Sequence, residues 1–244
     1  MNLIYEPTII DAWVTSASPQ IAQYITPFEP EDWDSVQSIP EIAGRVCYQS
    51  FGKPRPGGNR AYMERILSEG HGSVLEHASI GFVIHGVSRS LTHELIRHRA
   101  GTAVGELSQR FVDASDLGFV VPPRWVDAVP SEFINTCSDA QRRYKALVEL
   151  SEAADTLSRK RIRESARSVL PNCTETHIMF TGNLRAWRNI LEQRGNIHAD
   201  LEIRRLAVAL LPVLVEYAPN VFQDFEAFVD EDGRESVRNR WRKV

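Results

Sequence analysis

Apolar positions along the chain recur mostly at helical spacing, interrupted by a few short runs with the two-residue period of strands. Thr8 to Val14 (TIIDAWV) predicts a short strand, followed by a Pro-rich, acidic connection through Pro27, Pro30 and Asp34. Pro40 opens a helical pattern, Ile42, Ala43, Val46 and Cys47, that stops before the flexible composition of Gly52 to Gly58 (GKPRPGG). A second helix is expected from Asn59 to Glu69, with Gly70 terminating it. Ser73 with Glu76 three residues later has the capping-box pattern of a short helix. The apolar run Ile80 to Val87 predicts a strand. Ser88 then starts a helix that is expected to bury Leu91, Leu95 and Ile96 and to carry Arg97-His98-Arg99 at its end. Gly101 and Gly105 break the pattern, so Arg97 to Arg110 reads as helix end, Gly-rich loop and re-entry into order. Helical spacing returns over Ser131 to Leu157, Arg161 to Val169, Asn183 to Gln193 and Glu202 to Tyr217. With no internal repeat, the pattern predicts one α+β domain with a weakly attached, partly disordered tail, Asp230 to Val244.

The composition, 43% hydrophobic and 25% charged over 244 residues, is that of a globular protein with a full core. No apolar run approaches the ~18 residues needed to span a bilayer, so no membrane partner is expected. Met1 to Pro7 lacks the basic and apolar regions of a secretory signal, which points to the cytoplasm. Cys47, Cys137 and Cys173 are odd in number and far apart, as reduced, packed thiols are. A net charge of −4 argues against binding a nucleic acid polymer through a broad basic surface. Local cations are concentrated nonetheless: Arg97, Arg99 and Arg110 in one stretch, and Arg159, Lys160, Arg161 and Arg163 in another, which reads as a solvated helix face.

Neither a Gly-x-Gly-x-x-Gly nor a Walker-type loop is present, so a dinucleotide would have to be held by side chains and scattered backbone groups. In THELIRHR, Thr92 to Arg99, the residues Glu94, Arg97 and His98 fall three and four apart and can share a helix face. The stretch is no zinc-protease motif, because His93 and His98 are five apart and diverge by about 140° on a helix. His71 and His77 around Glu76 read as hydrogen-bonded structure before metal ligands, and no metal is expected. Arginine offers a rigid fork of donors for phosphate and pyrimidine carbonyls. Arg97, Arg99 and Arg110, with the Thr102 and Ser108 hydroxyls and the accessible amides of the Gly-rich stretch, compose an anion site.

HGSVLEHAS (His71 to Ser79), SRSLTHELIRHR (Ser88 to Arg99), ELSQRFV (Glu106 to Val112), VLPNCTET (Val169 to Thr176) and HADLEIRRLA (His198 to Ala207) together resemble the flavin-dependent thymidylate synthase family, ThyX. The match spans roughly Glu41 to Pro219, leaving an N-terminal strand and connection over 1–40 and a charged tail over 220–244. The resemblance implies a ThyX-like domain with an antiparallel sheet flanked by long helices. It further implies a homotetramer with active sites between subunits, FAD as carrier, and NADPH and methylenetetrahydrofolate as co-substrates. Carried over by position, Ser73, Glu76, Arg97, His98, Arg99, Glu106, Arg194 and His198 are the flavin set. Glu94, Arg97, Glu106, Leu107, Ser108, Gln109, Arg110 and Arg204 are the nucleotide set, with His177 where close relatives carry a substrate-holding arginine. Arg204 is expected to polarise the uracil ring for methylation at C5. Between Arg99 and Ser108 stand eight residues, AGTAVGEL, where the family motif has seven. That longer loop of small side chains leads to the expectation that UMP is accepted beside or instead of dUMP, as in the branch associated with peptidyl-nucleoside antibiotics. The alternative is a non-catalytic nucleotide-binding protein on the same fold.

Overall fold

Residues 1–16, 35–53, 56–153 and 158–244 are described by the computed structural model of the chain. Its strands are β1 (Leu3–Ile4), β2 (Thr8–Val14), β3 (Ser79–Ser88), β4 (Thr102–Glu106), β5 (Phe119–Val120), β6 (Glu175–Asn183), β7 (Phe225–Val229) and β8 (Glu235–Asn239). Its helices are α1 (Ser38–Tyr48), α2 (Gly58–Ser68), α3 (Arg89–Leu95), α4 (Ser131–Ala153), α5 (Arg159–Ala166), α6 (Leu184–Arg194) and α7 (Leu201–Tyr217), with short 3-10 turns at Gly72–His77, Pro123–Trp125 and Arg167–Val169. The class is α+β, as the sequence pattern predicts. Pro27, Pro30, Asp34 and the end of the helix expected to reach Leu157 lie outside the described residues.

One sheet has the order β2-β3-β6-β4; β1 pairs with β5 in parallel, and β7 with β8 in an antiparallel hairpin. Position in the sheet explains each strand's composition. The inner strand β3 is apolar on both faces, and Ile80, Phe82 and Ile84 are fully buried. β6 alternates instead: Thr176, Ile178 and Phe180 point inward, while His177 and Met179 are exposed. At the sheet edge β4 is small and mostly exposed, which is why its residues read as a loop in sequence.

Contacts along the chain fall into two units, one of residues 1–10, 83–97 and 104–179, the other of 11–82, 98–103 and 180–244. In the first unit α4 packs against α5 around Tyr144, whose hydroxyl accepts the Ala114 amide at 3.2 Å, with Ala166, Leu117 and Leu170 against it. In the second, Trp187 of α6 is fully buried, edge-on to Phe82 at 5.2 Å, and donates from Nε1 to the Ile80 carbonyl at 3.0 Å. A buried aromatic of this kind keeps its polar atom satisfied while its ring contributes on the order of 1.5–3 kcal/mol by burial.

Several local expectations hold and others need correction. Ser88 caps α3, accepting the Leu91 amide at 3.0 Å, and Asn183 caps α6, accepting the Ala186 amide at 2.8 Å. Ser73 is not a cap. It lies inside the 3-10 turn that follows His71, and no side chain caps that turn. α3 ends at Leu95, so Glu94, Arg97 and His98 do not share a helix face, and Ile96 is 38% exposed where burial was expected. The segment expected as a loose tail is built into the second unit. Val237 is buried and bonds through its amide to the Gly195 carbonyl at 2.7 Å, and the carbonyl of Trp241 accepts from buried Arg188.

Candidate functional site

In the first unit, Glu106 ends β4 facing α3. Its Oε1 accepts the Thr92 hydroxyl at 2.8 Å and its Oε2 lies 3.4 Å from Arg89 Nη2. The Leu107 amide donates to the His177 carbonyl at 2.8 Å, which fixes the start of Leu107-Ser108-Gln109-Arg110 against β6. The Ser108 carbonyl accepts the amides of Phe111 and Val112, turning the chain sharply, and the Ser108 hydroxyl lies 3.4 Å from the Arg110 amide.

That turn leaves polar atoms unpaired. Gln109 is 6% exposed, and its Nε2 has no hydrogen-bond partner among the described residues. Arg110 Nε lies 3.2 Å from Glu164 Oε2, yet it too lacks an aligned acceptor, so the pair holds by charge and not by a hydrogen bond. An orphaned buried donor costs about 1–3 kcal/mol, a cost that a ligand acceptor would remove. Glu94 is half-buried; Arg97 is exposed, with no side-chain partner among the described residues. His177 is exposed on β6, its ring 5.6 Å from that of His85 and its Nε2 3.4 Å from Glu175. Arg163, expected on a solvated face, instead donates to the Phe111 carbonyl at 2.7 Å and pairs with Asp113 at 3.3 Å, stapling α5 to the chain after the turn.

In the second unit, His98 is 8% exposed and accepts at Nε2 from Arg194 Nε at 2.8 Å. A guanidinium can only donate, so Nε2 is the accepting nitrogen in this contact, while Nδ1 lies 3.4 Å from Asn189 Nδ2. The ring is thus held between Arg194 and Asn189, both of α6. Glu76 receives Arg185 Nη1 at 2.6 Å. Arg99, Ser73 and His198 are exposed.

Beside Glu76 and Arg185 opens a cleft of about 310 Å³, lined also by Gly101, Asn183, Asn189 and Glu192 and by the late residues Lys243 and Val244. Gly101 is required there twice over. Its φ is +71°, and a Cβ would run into the Asn183 side chain, whose oxygen caps α6 while the Asn183 amide donates to the Gly101 carbonyl at 2.9 Å. Asn183, Arg185 and Asn189 were not singled out in the sequence. The signal was partial: Ala186 and Asn189, and Asn189 and Glu192, stand three apart, so each pair projects from adjoining positions on α6, with Asn183 at its cap.

A second cleft of about 360 Å³ in this unit is lined by Arg45, Tyr48, Lys53, Tyr62, Arg65 and His71. Its arginines are neutralised in place. Arg45 binds Glu41 at 2.7 and 3.0 Å and the carbonyls of Ser50 and Lys53, and Arg65 binds Glu69 at 2.8 Å.

Arg204, the residue expected to polarise a uracil ring, stands in the first turn of α7. Only 2% exposed, it donates from Nη1 to the Ile197 carbonyl at 3.1 Å and from Nη2 to Asp230 at 2.9 Å. The geometry makes it a tie between α7 and the C-terminal hairpin. Asp230 is held below its ordinary 3.8 by the Arg234 amide first and, after the opposing effect of burial, by Arg204. Among the described residues no group of three or more His, Cys, Asp or Glu side chains is arranged to hold a metal ion, and no helix is long and apolar enough to cross a membrane.

Residues 31–220 match a protein family described as thymidylate synthase complementing protein. A flavin-dependent thymidylate synthase from Mycobacterium sp. (strain KMS) is 48% identical over 218 residues, covering 84% of this chain and 85% of the relative. Proteins of the same description from Mycolicibacterium vanbaalenii and Mycobacterium tuberculosis (strain ATCC 25177 / H37Ra) are 50% and 49% identical over 214 residues, with the same coverage of both chains.

Proposed function

The chain belongs to the flavin-dependent thymidylate synthase family, and on that premise we propose that it methylates C5 of dUMP to give dTMP. FAD is the bound carrier in this reading, with NADPH as reductant and methylenetetrahydrofolate as one-carbon donor. When bound, the flavin supplies the redox and one-carbon chemistry, and the protein supplies binding, orientation and charge.

The observation that carries the nucleotide half is the buried Gln109 Nε2 with no acceptor, beside an Arg110 whose Nε also lacks one. A pyrimidine nucleotide brings carbonyl and phosphate oxygens, which are acceptors of the kind these donors require. Glu106, held by Thr92 and Arg89, orients the start of this segment. Ser108 contributes a hydroxyl for binding, and Glu94, Arg97, Leu107 and His177 complete the proposed substrate set.

The cleft of the second unit fits part of a flavin dinucleotide. Its lining mixes the Asn183 and Asn189 amides, Arg185 paired with Glu76, Glu192, Lys243 and the small Ala100-Gly101 surface, suited to the flat, hydrogen-bonding edge of such a group. About 310 Å³ lies at the low end of the ~300–1,000 Å³ typical of small-molecule pockets, so a whole dinucleotide needs further walls. This supports a homotetramer in which a neighbouring subunit completes the site. Ser73, Glu76, Arg97, His98, Arg99, Glu106, Arg194 and His198 form the proposed flavin set, with Asn183, Arg185 and Asn189 added from the cleft.

Arg204, fixed by Asp230 and the Ile197 carbonyl, is the cation proposed to polarise the uracil imide, and Arg194, half-buried in the last turn of α6 and fixed by His98 through its Nε, stays in the flavin set. A cation beside the imide favours its ionised form and makes C5 more nucleophilic. No cysteine is given a role as nucleophile, which accords with Cys137, whose thiol is pushed up by burial.

Purified protein is expected to be yellow, to absorb near 450 nm as oxidised flavins do, to bleach with NADPH, and to form dTMP from dUMP and methylenetetrahydrofolate. A colourless protein that FAD cannot reconstitute would overturn the flavin half. A yellow protein that forms no methylated nucleotide would overturn the enzyme reading and leave a nucleotide-binding protein. Comparison of kcat/KM for UMP and dUMP in the same assay decides the sugar, and turnover confined to UMP would overturn the assignment of dUMP.

A further inference from the structure

Two of the three cysteines, far apart in sequence, meet in the first unit. Cys137 Sγ and Cys173 Sγ are 3.6 Å apart and 36 residues apart along the chain. Cys137 sits in the second turn of α4 and is 1% exposed; Cys173, in the loop before β6, is half-buried. The loop is firmly seated: the Cys173 carbonyl accepts the Val120 amide at 2.8 Å, and the Asn172 and Thr174 carbonyls accept the first amides of α3, from Ser90 and Arg89. A disulfide needs about 2.0 Å between sulfurs, so an approach of about 1.6 Å would close it. Nothing in the proposed methylation uses either thiol.

We propose that Cys137 and Cys173 form a reversible oxidation site, closed to an intramolecular disulfide by a peroxide. The two thiols differ in the way such a site requires. Burial pushes the Cys137 thiol up, disfavouring its thiolate, whereas Cys173 is reachable from solvent and hydrogen-bonded to its neighbour. Cys173 is thus the sulfur that meets the oxidant. Its thiolate attacks one peroxide oxygen, the O–O bond breaks, and water leaves after protonation, giving a sulfenic acid. The Cys137 sulfur then attacks the Cys173 sulfur, the S–O bond breaks, and the Cys137 proton leaves with the hydroxyl as a second water. In sum, two thiols and one hydrogen peroxide give one disulfide and two waters. The new bond ties α4 to the loop that seats α3. Exposed Cys47 has no such neighbour in hydrogen-bonding reach among the described residues.

The test uses the purified full chain carrying Cys47→Ser, which removes bridging between molecules. Reduced protein is treated with stoichiometric hydrogen peroxide, unfolded, alkylated and examined by intact mass and peptide mapping. The expected product has both thiols protected, a mass lower by about 2 Da before alkylation, a peptide linking Cys137 to Cys173, and full recovery of both thiols with dithiothreitol. Adding Cys137→Ser should leave a Cys173 sulfenic acid that dimedone traps, and adding Cys173→Ser should leave Cys137 an unmodified thiol. Full alkylation of both cysteines after peroxide, or sulfinic acid at Cys173 with no linked peptide, would overturn the proposal. So would equal oxidation of Cys137 in the Cys173→Ser protein.

Discussion

Arg188 offers the sharpest test of how the second unit is held together. Its guanidinium is 2% exposed and grips Asp224, itself 1% exposed, with Nη1 at 2.7 Å from Oδ1 and Nη2 at 3.1 Å from Oδ2. The same nitrogens donate to the Val221 carbonyl at 2.6 Å and the Trp241 carbonyl at 3.1 Å, and the plane lies 4.8 Å from the centre of the Phe225 ring. Arg188→Met keeps much of the volume but strands the Asp224 carboxylate in the interior. Breaking one half of a buried pair costs about 3–5 kcal/mol. For a chain of 150–250 residues each kcal/mol moves Tm by about 2–4 °C, so the expected fall is roughly 6–20 °C. Scanning calorimetry on purified protein measures it. The double variant Arg188→Met/Asp224→Leu should recover part of the loss, because no charge is then left buried; recovery stays incomplete because Asp224 Oδ2 also accepts the Trp241 amide at 3.0 Å. A single variant that melts within about 2 °C of the parent, or a double variant less stable than Arg188→Met, would refute the argument.

Gln109→Leu removes the orphaned donor, so without nucleotide the protein should melt no lower than the parent, while KM for dUMP rises about tenfold and flavin absorbance is kept; an unchanged KM would sever Gln109 from the nucleotide. Gly101→Ala forces a positive φ at a cost of about 1–2 kcal/mol and pushes on the Asn183 cap, so flavin affinity should fall at least tenfold; equal flavin occupancy on titration with FAD would remove the cleft from the flavin site. Because Asp230 is held below its ordinary 3.8, its contribution to stability is present above that value and lost as pH falls through the lower folded one. The urea midpoint of the parent should therefore exceed that of Asp230→Asn by a constant margin from about pH 7 to 5, and the margin should shrink progressively below 3.8; a margin as large at about pH 3 as at about pH 5 would contradict the pairing with Arg234 and Arg204.

What could be read from the sequence was what local chemistry decides. Ser88 and Asn183 announce α3 and α6 because a short polar side chain before an apolar pattern satisfies the first amides of a helix without help from elsewhere. The stretch Arg97 to Arg110 reads as an anion site for the same reason: its residue types carry the chemistry. Illegible features depend on partners remote in sequence. β4 is a strand because β6 lies beside it, and its small residues carry no strand signal of their own. Ser73 and Glu76 match a capping box, yet Glu76 is taken by Arg185, 109 residues away. Charge alone could not separate Arg97 and Arg99, exposed, from Arg188 and Arg204, each locked on a buried or half-buried aspartate. Family position assigns the polarising cation to Arg204, which its residue type alone does not distinguish from its neighbour Arg205.

The cleft also sets an order of events in synthesis. Glu76 is made early, Asn183 and Arg185 much later, and Lys243 and Val244 later still, beyond the point at residue 220 where the family match ends. A nascent chain released after α7 would hold every motif by which the family is recognised and still lack two of the residues that line the cleft. Chains emerge at about 5–20 residues per second, so a second or more separates possession of the signature from possession of the pocket. Any fragment defined by the signature alone, whether a proteolytic product or a trimmed expression clone, would keep the identity and lack that part of the cleft's lining.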